Sequence, residues 1–209
     1  MRIERIEKEN PSGERMRMTL EDGSALRITQ QELLRFRLTP GLDLSEEELT
    51  LLHCCAKRSE TRTAAVHIVG RRALSRQELQ QRLCRRGSSE EDASQAADWL
   101  EEIGALDDEA YAALLVRHYS DRGYGPGRIR QELLCRGISR DLWEQALKQA
   151  PPAQGLICAY IEKKLQDPED PKQIKRVSDG LLRRGFSWEQ VRSALHIYTQ
   201  GLDGETEHV

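Results

Sequence analysis

The seven residues Leu133-Leu134-Cys135-Arg136-Gly137-Ile138-Ser139 decide the fold, because related stretches occur at two other places in the chain. One reads Leu83-Cys84-Arg85-Arg86-Gly87-Ser88-Ser89, and the other reads Leu181-Leu182-Arg183-Arg184-Gly185-Phe186-Ser187. Their glycines are separated by 50 and 48 residues, a spacing typical of helical repeat proteins. The sequence therefore predicts three tandem units.

Each copy predicts a helix, a turn and a second helix. Apolar residues lie four and eight positions before each glycine, on one face of a helix: Leu83 and Leu79, Leu133 and Ile129, Leu181 and Val177. We expect each glycine to end its helix in the left-handed conformation. We expect the serine two residues later to cap the next helix, at Ser89, Ser139 and Ser187. A further helix precedes each copy, over roughly Ala64–Val69, Asp107–Tyr119 and Gly155–Leu165.

Three short helices bury little apolar surface alone, so neighbouring units are expected to stack into an elongated array. The predicted fold class is mainly α: three tandem three-helix repeats after a small β-containing segment. The predicted boundaries are an N-terminal segment over residues 1–60, repeats over 61–105, 106–150 and 151–200, and a tail over 201–209.

The N-terminal segment reads differently from the repeats. Arg2–Ile6 and Met16–Leu20 alternate apolar and polar residues, and a turn sequence before Ala25–Ile28 completes a small antiparallel sheet. A short helix is expected over Gln30–Phe36. Ser45 and Glu48 have the spacing of a capping box and predict the start of another helix.

Composition limits the class of protein. Of 209 residues, 38% are hydrophobic and 32% are charged, which suits thin helical modules better than one thick core. No apolar stretch approaches the roughly 20 residues of a membrane span, and the first residues lack the apolar core of a signal peptide. The five cysteines form no CxxC pair, as expected of reduced thiols. These features predict a cytoplasmic protein with no membrane contact.

Three stretches could carry chemistry, and each has a structural alternative. His53-Cys54-Cys55 could bind a metal or present a thiol, but adjacent helical residues point apart, which favours ordinary packing. Asp107-Asp108 could be paired metal ligands, but their place at a helix start favours capping. Gly123-Tyr124-Gly125-Pro126-Gly127 lacks the Lys-Ser/Thr of a phosphate-binding loop and predicts a turn. The sequence favours binding over catalysis, with no metal or cofactor.

Charge is unevenly distributed although the net charge is only −3. The second helix of every predicted repeat is basic, which would give a basic stripe facing an anionic partner. The candidate stripe consists of Arg71, Arg72, Arg76, Arg82, Arg85 and Arg86, then Arg122, Arg128, Arg130 and Arg136, then Lys175, Arg176, Arg183 and Arg184. In the alternative interpretation, each basic run is a solvated face neutralised by acids of a neighbouring helix.

A helix-turn-helix reader of DNA sequence would place base-reading side chains on the helix after the turn. Here the basic helices come before the glycine, and the helix after the first glycine is acidic instead, with Glu90, Glu91 and Asp92 at its start. Contact with phosphates or with an acidic protein groove fits this distribution better than base reading.

Two longer stretches carry a family resemblance. Arg72-Ala73-Leu74-Ser75-Arg76-Gln77-Glu78-Leu79 and the run from Gly104 to Ile138, with Gly104-Ala105-Leu106-Asp107-Asp108 and Gly125-Pro126-Gly127-Arg128-Ile129, resemble the RecX family. The resemblance covers residues 61 to about 200. The N-terminal segment is similar to the extension of longer family members. The third unit departs more, with its Asp167-Pro168-Glu169-Asp170-Pro171 loop.

The resemblance implies a modulator, usually an inhibitor, of the RecA recombinase. Such a protein lies in the groove of RecA filaments on single-stranded DNA, with or without contact to the DNA, and affects filament growth, ATP turnover and strand exchange. We expect it to act as a monomer. The alternative is a nucleic-acid-binding repeat protein with no sequence preference and no dedicated protein partner.

Overall fold

The N-terminal segment forms the expected antiparallel sheet. The structure, a computed structural model, describes residues 1–9 and 15–205, with side chains as far as residue 199. Strands β1 (Ile3–Lys8), β2 (Arg15–Leu20) and β3 (Ala25–Thr29) pair in the order β1-β2-β3. Alternate apolar side chains turn to one face, so that Met18 and Ile28 are buried.

Two helices follow the sheet. Helix α1 spans Gln30–Arg35, and α2 spans Glu46–Val69. The capping box predicted at Ser45 is confirmed: Ser45 Oγ accepts from the Glu48 N–H at 3.1 Å, and the Glu48 carboxylate accepts from the Ser45 N–H at 2.9 Å.

Helix α2 corrects the first predicted boundary. The helix continues for 24 residues through the point between residues 60 and 61 where the N-terminal segment was expected to end. No glycine or proline interrupts residues 46–69, and buried residues from Leu52 to Ile68 keep one side against the core. The short helix expected over residues 64–69 is the last part of α2.

The remaining described helices alternate with turns as the repeats predict. They are α3 (Arg76–Cys84), α4 (Glu90–Glu102), α5 (Asp108–Asp121), α6 (Pro126–Cys135), α7 (Asp141–Leu147), α8 (Ala153–Lys164), α9 (Pro171–Arg183) and α10 (Trp188–Glu205). None of the helices described here is long and apolar enough to cross a membrane.

The three turn glycines and the leucines before them behave as predicted. Gly87, Gly137 and Gly185 have φ values of 93°, 67° and 89°, in the region where other residues are strained. Leu83, Leu133 and Leu181 are fully buried. The predicted faces of α3, α6 and α9 are therefore confirmed.

The capping serines are confirmed in two copies and wrong in one. Ser89 Oγ accepts from the Asp92 N–H, and Ser187 Oγ accepts from the Gln190 N–H. Helix α7 instead begins after Arg140, which makes no side-chain cap. The Ser139 hydroxyl donates to the Asp141 carboxylate.

The chain forms two compact units. The first contains Met1–Arg72 and Leu79–Leu106, and the second contains Ala73–Glu78 and the chain from Asp107 onward. The first unit joins the sheet to α2 through a core that includes Ile3, Leu20 and Leu52. The segment Ala73–Glu78, which includes the first residues of α3, packs within the second unit.

Within the second unit, each glycine turn lies against the start of an earlier helix. The Gly125 N–H donates to the Arg184 carbonyl at 2.7 Å, and the Gly127 N–H donates to the Gly185 carbonyl at 2.9 Å. A Cβ on Gly125 would come within 2.8 Å of the Gly185 carbonyl group. Ser75 makes the equivalent contact by donating its hydroxyl to the Arg136 carbonyl. The glycine-rich stretch is thus a turn that also allows close backbone packing.

Candidate anion-binding site

A cleft lined by arginine lies in the first unit, beside the carboxyl ends of α2 and α3. Its volume is about 360 Å³. Five of the predicted stripe residues line it: Arg71, Arg72, Arg82, Arg85 and Arg86; His67 and Ile68 complete the lining. No carboxylate belongs to this set of residues. We call this space the arginine cleft.

Local folding places the cleft residues. Leu79 and Leu83 take the buried face of α3, so Arg82 leaves that helix on another face, and Arg86 lies in the turn after its end at Cys84. Helix α2 ends at Val69, and Arg71 follows it. Cations near helix carboxyl ends are stabilised by the partial negative charge of the unpaired carbonyl groups. This effect offsets part of the repulsion among closely spaced guanidinium groups.

The cleft arginines differ in what else they contact. Within the described part of the chain, Arg71, Arg85 and Arg86 have no carboxylate within 4.0 Å, and all three are exposed. Arg72 and Arg82 make other interactions as well. Three guanidinium groups thus remain available to an external anion.

Arg128 in α6 and Arg136 just after its end are held by one carboxylate, that of Glu132. Arg128 Nη2 contacts Glu132 Oε1 at 2.8 Å, and Arg136 Nη1 contacts Glu132 Oε2 at 2.5 Å. The Arg136 guanidinium also lies 5.9 Å from the ring centroid of Tyr119, within cation–π range. Burial disfavours the ionised Glu132, but the hydrogen bonds and charges of its partners outweigh burial and lower its pKa. We call this cluster the Glu132 clamp.

The basic residues near the third glycine are also partly structural. Arg184 lies between two rings, 5.5 Å from the centroid of Tyr124 and 4.8 Å from that of Tyr160. Its Nη1 donates to the carbonyl oxygens of Arg122 and Gly123, at 3.1 and 3.3 Å. This side chain ties the third turn to the end of α5.

The other stripe residues do not gather in one place. Arg130 contacts Glu144 at 3.0 Å on the surface, and the Arg76 N–H donates to the Asp108 carboxylate at 2.8 Å. Arg122 is exposed, as are Lys175, Arg176 and Arg183.

Sequence reasoning did not include His67 among the site residues. A signal was available, because His67 lies only four residues before Arg71 in the sequence.

The acidic pair Asp107-Asp108 binds backbone N–H groups at helix starts, as expected of capping residues. Asp107 caps α5 by accepting from the Ala110 N–H at 2.9 Å, and Asp108 accepts from the start of α3. Burial raises the pKa of Asp108, opposed by the hydrogen bond from Arg76.

The side chains of the His53-Cys54-Cys55 stretch diverge: His53 contacts the Leu49 carbonyl, whereas Cys55 lies 3.9 Å from Arg35. Among the described residues, no group of three or more His, Cys, Asp or Glu could hold a metal ion.

Comparison with known families gives two matches in the second unit. The family model described as the second three-helix domain of RecX matches residues 107–147, and the model of the third three-helix domain matches residues 154–195. These spans contain α5–α7, nearly all of α8, the whole of α9 and the first part of α10. The three-helix organisation predicted for these repeats agrees with both models.

Curated relatives cover a larger part of the chain. "Regulatory protein RecX" of Chromohalobacter salexigens is 35% identical over 136 residues, which are 64% of this chain and 90% of the relative. The protein of the same name from Halorhodospira halophila is 34% identical over 142 residues, covering 66% of this chain and 88% of the relative.

Solved structures show the same fold. A crystal structure of regulatory protein RecX has a TM-score of 0.71 at 23% identity and covers 92% of this chain and 98% of its own. A crystal structure of RecX from Lactobacillus salivarius has a TM-score of 0.60 at 21% identity and covers 67% of this chain and 95% of its own.

Proposed function

The chain belongs to the RecX family of regulatory proteins, and we propose on that premise that it regulates a RecA recombinase. It does so by binding in the groove of RecA filaments on single-stranded DNA. The observation that carries the proposal is the arginine cleft, which collects five cationic side chains without a carboxylate in its lining. Its chemistry suits a strongly anionic partner rather than a small neutral substrate.

The proposed mechanism is binding without catalysis. Exposed arginines attract the chain to an anionic groove, and each guanidinium can donate two hydrogen bonds to a phosphate or carboxylate. A chain occupying the groove obstructs the addition of recombinase subunits and the movements that accompany ATP turnover and strand exchange. We therefore expect inhibition of all three activities.

The test is the ATPase of RecA on single-stranded DNA, measured against added wild type and two double variants. Arg85→Glu with Arg86→Glu reverses two cleft charges that have no internal carboxylate partner. Arg117→Glu with Arg192→Glu makes the same change in net charge at exposed arginines of α5 and α10, outside the cleft. We expect the cleft variant to lose suppression by about tenfold or more and the control variant to retain it.

Circular dichroism and thermal melting must show that both variants are folded. Equal inhibition by the wild type and the folded cleft variant would remove the cleft from the mechanism. No effect of the wild type on the ATPase, filament growth or strand exchange would contradict the proposed function as a whole.

A second function is compatible with the same cleft. A nucleic-acid-binding protein without a dedicated protein partner would also need exposed arginines and no base-reading groups. Binding of the wild type to naked and to RecA-coated single-stranded DNA, at matched salt, separates the two. Preference for the coated strand supports the recombinase regulator, and equal or weaker binding to it supports the alternative.

A further inference from the structure

We infer that a second cavity of the first unit binds a peptide segment of a partner protein, one that carries an apolar side chain beside a carboxylate. The cavity shares no lining residue with the arginine cleft. Its volume is about 640 Å³, within the range of about 300–1,000 Å³ that is typical of ligand-binding sites. We call it the Trp99 pocket. The residues that matter in its lining are Gln30, Gln31 and Leu34 of α1, Arg62 and Thr63 of α2, and Trp99 of α4.

A buried carboxylate fixes α1 at the edge of the pocket. Glu32 accepts from the Thr29 N–H at 2.7 Å and from the Ser59 hydroxyl of α2, and only 4% of this residue is exposed. Because Glu32 takes the inner side of α1, Gln30 and Leu34 lie together on the outer side, four positions apart. Leu34 is 67% exposed, so its apolar surface is available to a partner rather than to the core.

Arg62 gives the pocket one cation without an internal counterion. Its guanidinium lies 5.5 Å from the ring centroid of Trp99, within cation–π range. Arg58, one helical turn earlier, contacts Asp92 at 3.5 Å, but no carboxylate lies within 4.0 Å of Arg62 in the part of the chain that the structure describes. The residues that line the pocket include no Asp or Glu. One guanidinium can donate two hydrogen bonds to one carboxylate, so the pocket is complementary to a single acidic group.

The two glutamines supply the groups that a peptide backbone requires. Each side-chain amide has a donor and an acceptor, and the amides of Gln30 and Gln31 have no hydrogen-bond partner among the described residues. A peptide bond offers the matching pair, one N–H and one C=O. An exposed leucine alone is ordinary. Leu34, however, shares this pocket with Trp99 and Arg62, and tryptophan and arginine are the residue types most enriched where protein interfaces gain their binding energy.

A nucleic-acid strand fits the Trp99 pocket less well than a peptide. A strand carries a charge with every nucleotide and is bound through several cations, whereas the lining of this pocket includes one arginine and no lysine. Arg62 also lies over the Trp99 ring, which leaves less of that ring for stacking on a base. A peptide with one acidic group matches the charge of the pocket.

The experiment selects ligands from a phage-displayed library of random dodecapeptides on the immobilised full chain. The same selection on the double variant Leu34→Ser with Arg62→Gln identifies peptides that bind elsewhere, since both changes are at exposed residues. We expect the wild type alone to enrich peptides with Asp or Glu within two positions of a large apolar residue. Equal enrichment on both proteins, or no enrichment on the wild type, would overturn the inference.

Synthetic copies of an enriched peptide then locate the contact by fluorescence anisotropy. We expect the double variant to bind about tenfold or more weakly. Leu114→Ser with Arg117→Gln makes the same two changes at exposed residues of α5 and is expected to leave the affinity unchanged. Circular dichroism and thermal melting of both variants verify that they are folded.

A double-mutant cycle tests the contact with the carboxylate. Replacing the acidic residue of the peptide by its amide should weaken binding to the wild type severalfold and have little effect on binding to Arg62→Gln, because both changes remove the same interaction. An equal loss on the two proteins would show that the carboxylate does not contact Arg62 and would overturn the inference.

Oligothymidylate provides the last arm. If its affinity falls about tenfold in the double variant while the enriched peptide does not compete with it, the pocket binds nucleic acid and the inference is overturned. A double variant that loses the peptide and still suppresses the RecA ATPase as the wild type does would uphold the inference, since the pocket acts independently of the proposed function.

Discussion

Arg86 and Arg136 occupy the same position, directly before the turn glycine, in the first and second copies of the repeated stretch. Arg86 lines a cleft among other arginines, whereas Arg136 belongs to the Glu132 clamp. The residue one helical turn earlier explains the difference, because side chains four positions apart are neighbours on a helix. That residue is Arg82 before Arg86 and Glu132 before Arg136.

The arginine before the third glycine is also held within the protein, but by aromatic rings. The residue four positions before Arg184 is Gly180, which has no charged side chain, and the guanidinium contacts Tyr124 and Tyr160 instead. A basic run in sequence can therefore be a binding surface or part of the scaffold. In the first copy Arg71, Arg85 and Arg86 are exposed without a carboxylate within 4.0 Å, among the residues that the structure describes, whereas Arg128, Arg130 and Arg136 of the second copy each contact a glutamate.

The largest expected loss of stability comes from the buried leucines, and it should be similar in the three copies. Alanine at Leu83, Leu133 or Leu181 removes a fully buried side chain and is expected to cost about 2–5 kcal/mol of unfolding free energy. Thermal or denaturant unfolding of each variant measures the loss. A loss near zero at one position would show that its copy does not share the common core.

Alanine at the turn glycine should destabilise the protein more in the third copy than in the first. A methyl group on Gly185 would overlap the Arg128 backbone nitrogen, so Gly185→Ala is expected to cost about 3 kcal/mol or more. A methyl group on Gly87 meets no atom within 4 Å, so Gly87→Ala carries only the left-handed strain of about 1–2 kcal/mol.

Paired unfolding measurements on the two alanine variants provide the check. Equal losses would mean that the third turn is not packed against the start of α6 as closely as the backbone hydrogen bonds indicate.

Alanine at Arg136 and at Arg86 should have opposite effects on stability and on inhibition of the ATPase. Arg136→Ala leaves the partly buried Glu132 with one cation fewer and removes the contact with Tyr119, at an expected cost of about 2 kcal/mol. Arg86→Ala removes an exposed side chain and is expected to change the unfolding free energy by less than about 0.5 kcal/mol. The ATPase assay should rank them in the opposite order. A stability loss for Arg86→Ala equal to that for Arg136→Ala would contradict the assignment of Arg86 to a binding surface.

The Glu132 clamp also predicts a pH dependence, with the smallest expected effect. Because the folded pKa of Glu132 is lowered, its ionised form stabilises the fold above the unfolded pKa of about 4.3. That contribution is lost as pH falls through the folded pKa. Glu132→Gln is therefore expected to be less stable than wild type by about 1 kcal/mol at pH 7, with the difference shrinking below about pH 4. Unfolding curves at several pH values measure it, and a constant difference down to pH 2 would contradict the clamp.

Much of the fold could be predicted because its signals are local. A positive-φ glycine, a capping serine and an apolar residue every fourth position act over one or two helical turns, so the sequence near Gly87, Gly137 and Gly185 was sufficient. Two details of the prediction were wrong. Helix α7 begins after Arg140 rather than after Ser139, and the boundary after residue 60 followed a change in composition although no residue there ends a helix.

The use of each arginine could not be predicted in the same way. Contacts between residues far apart in the chain decide part of it: the Arg184 guanidinium donates to the Arg122 carbonyl, 62 residues away, and the cleft brings Arg71 and Arg72 beside the arginines that follow in α3 and its turn. Such contacts depend on how whole helices pack, and packing is driven by apolar faces that carry no information about the charges on the opposite side. The sequence alone was sufficient to establish three helix–turn–helix copies and a basic run in each. The four-residue spacing of Glu132 from Arg128 and Arg136 already indicated their pairing. Only the tertiary structure showed that the first run surrounds a cleft and that Arg184 of the third meets two tyrosines, because the free energy of a charge depends on the groups that folding brings beside it.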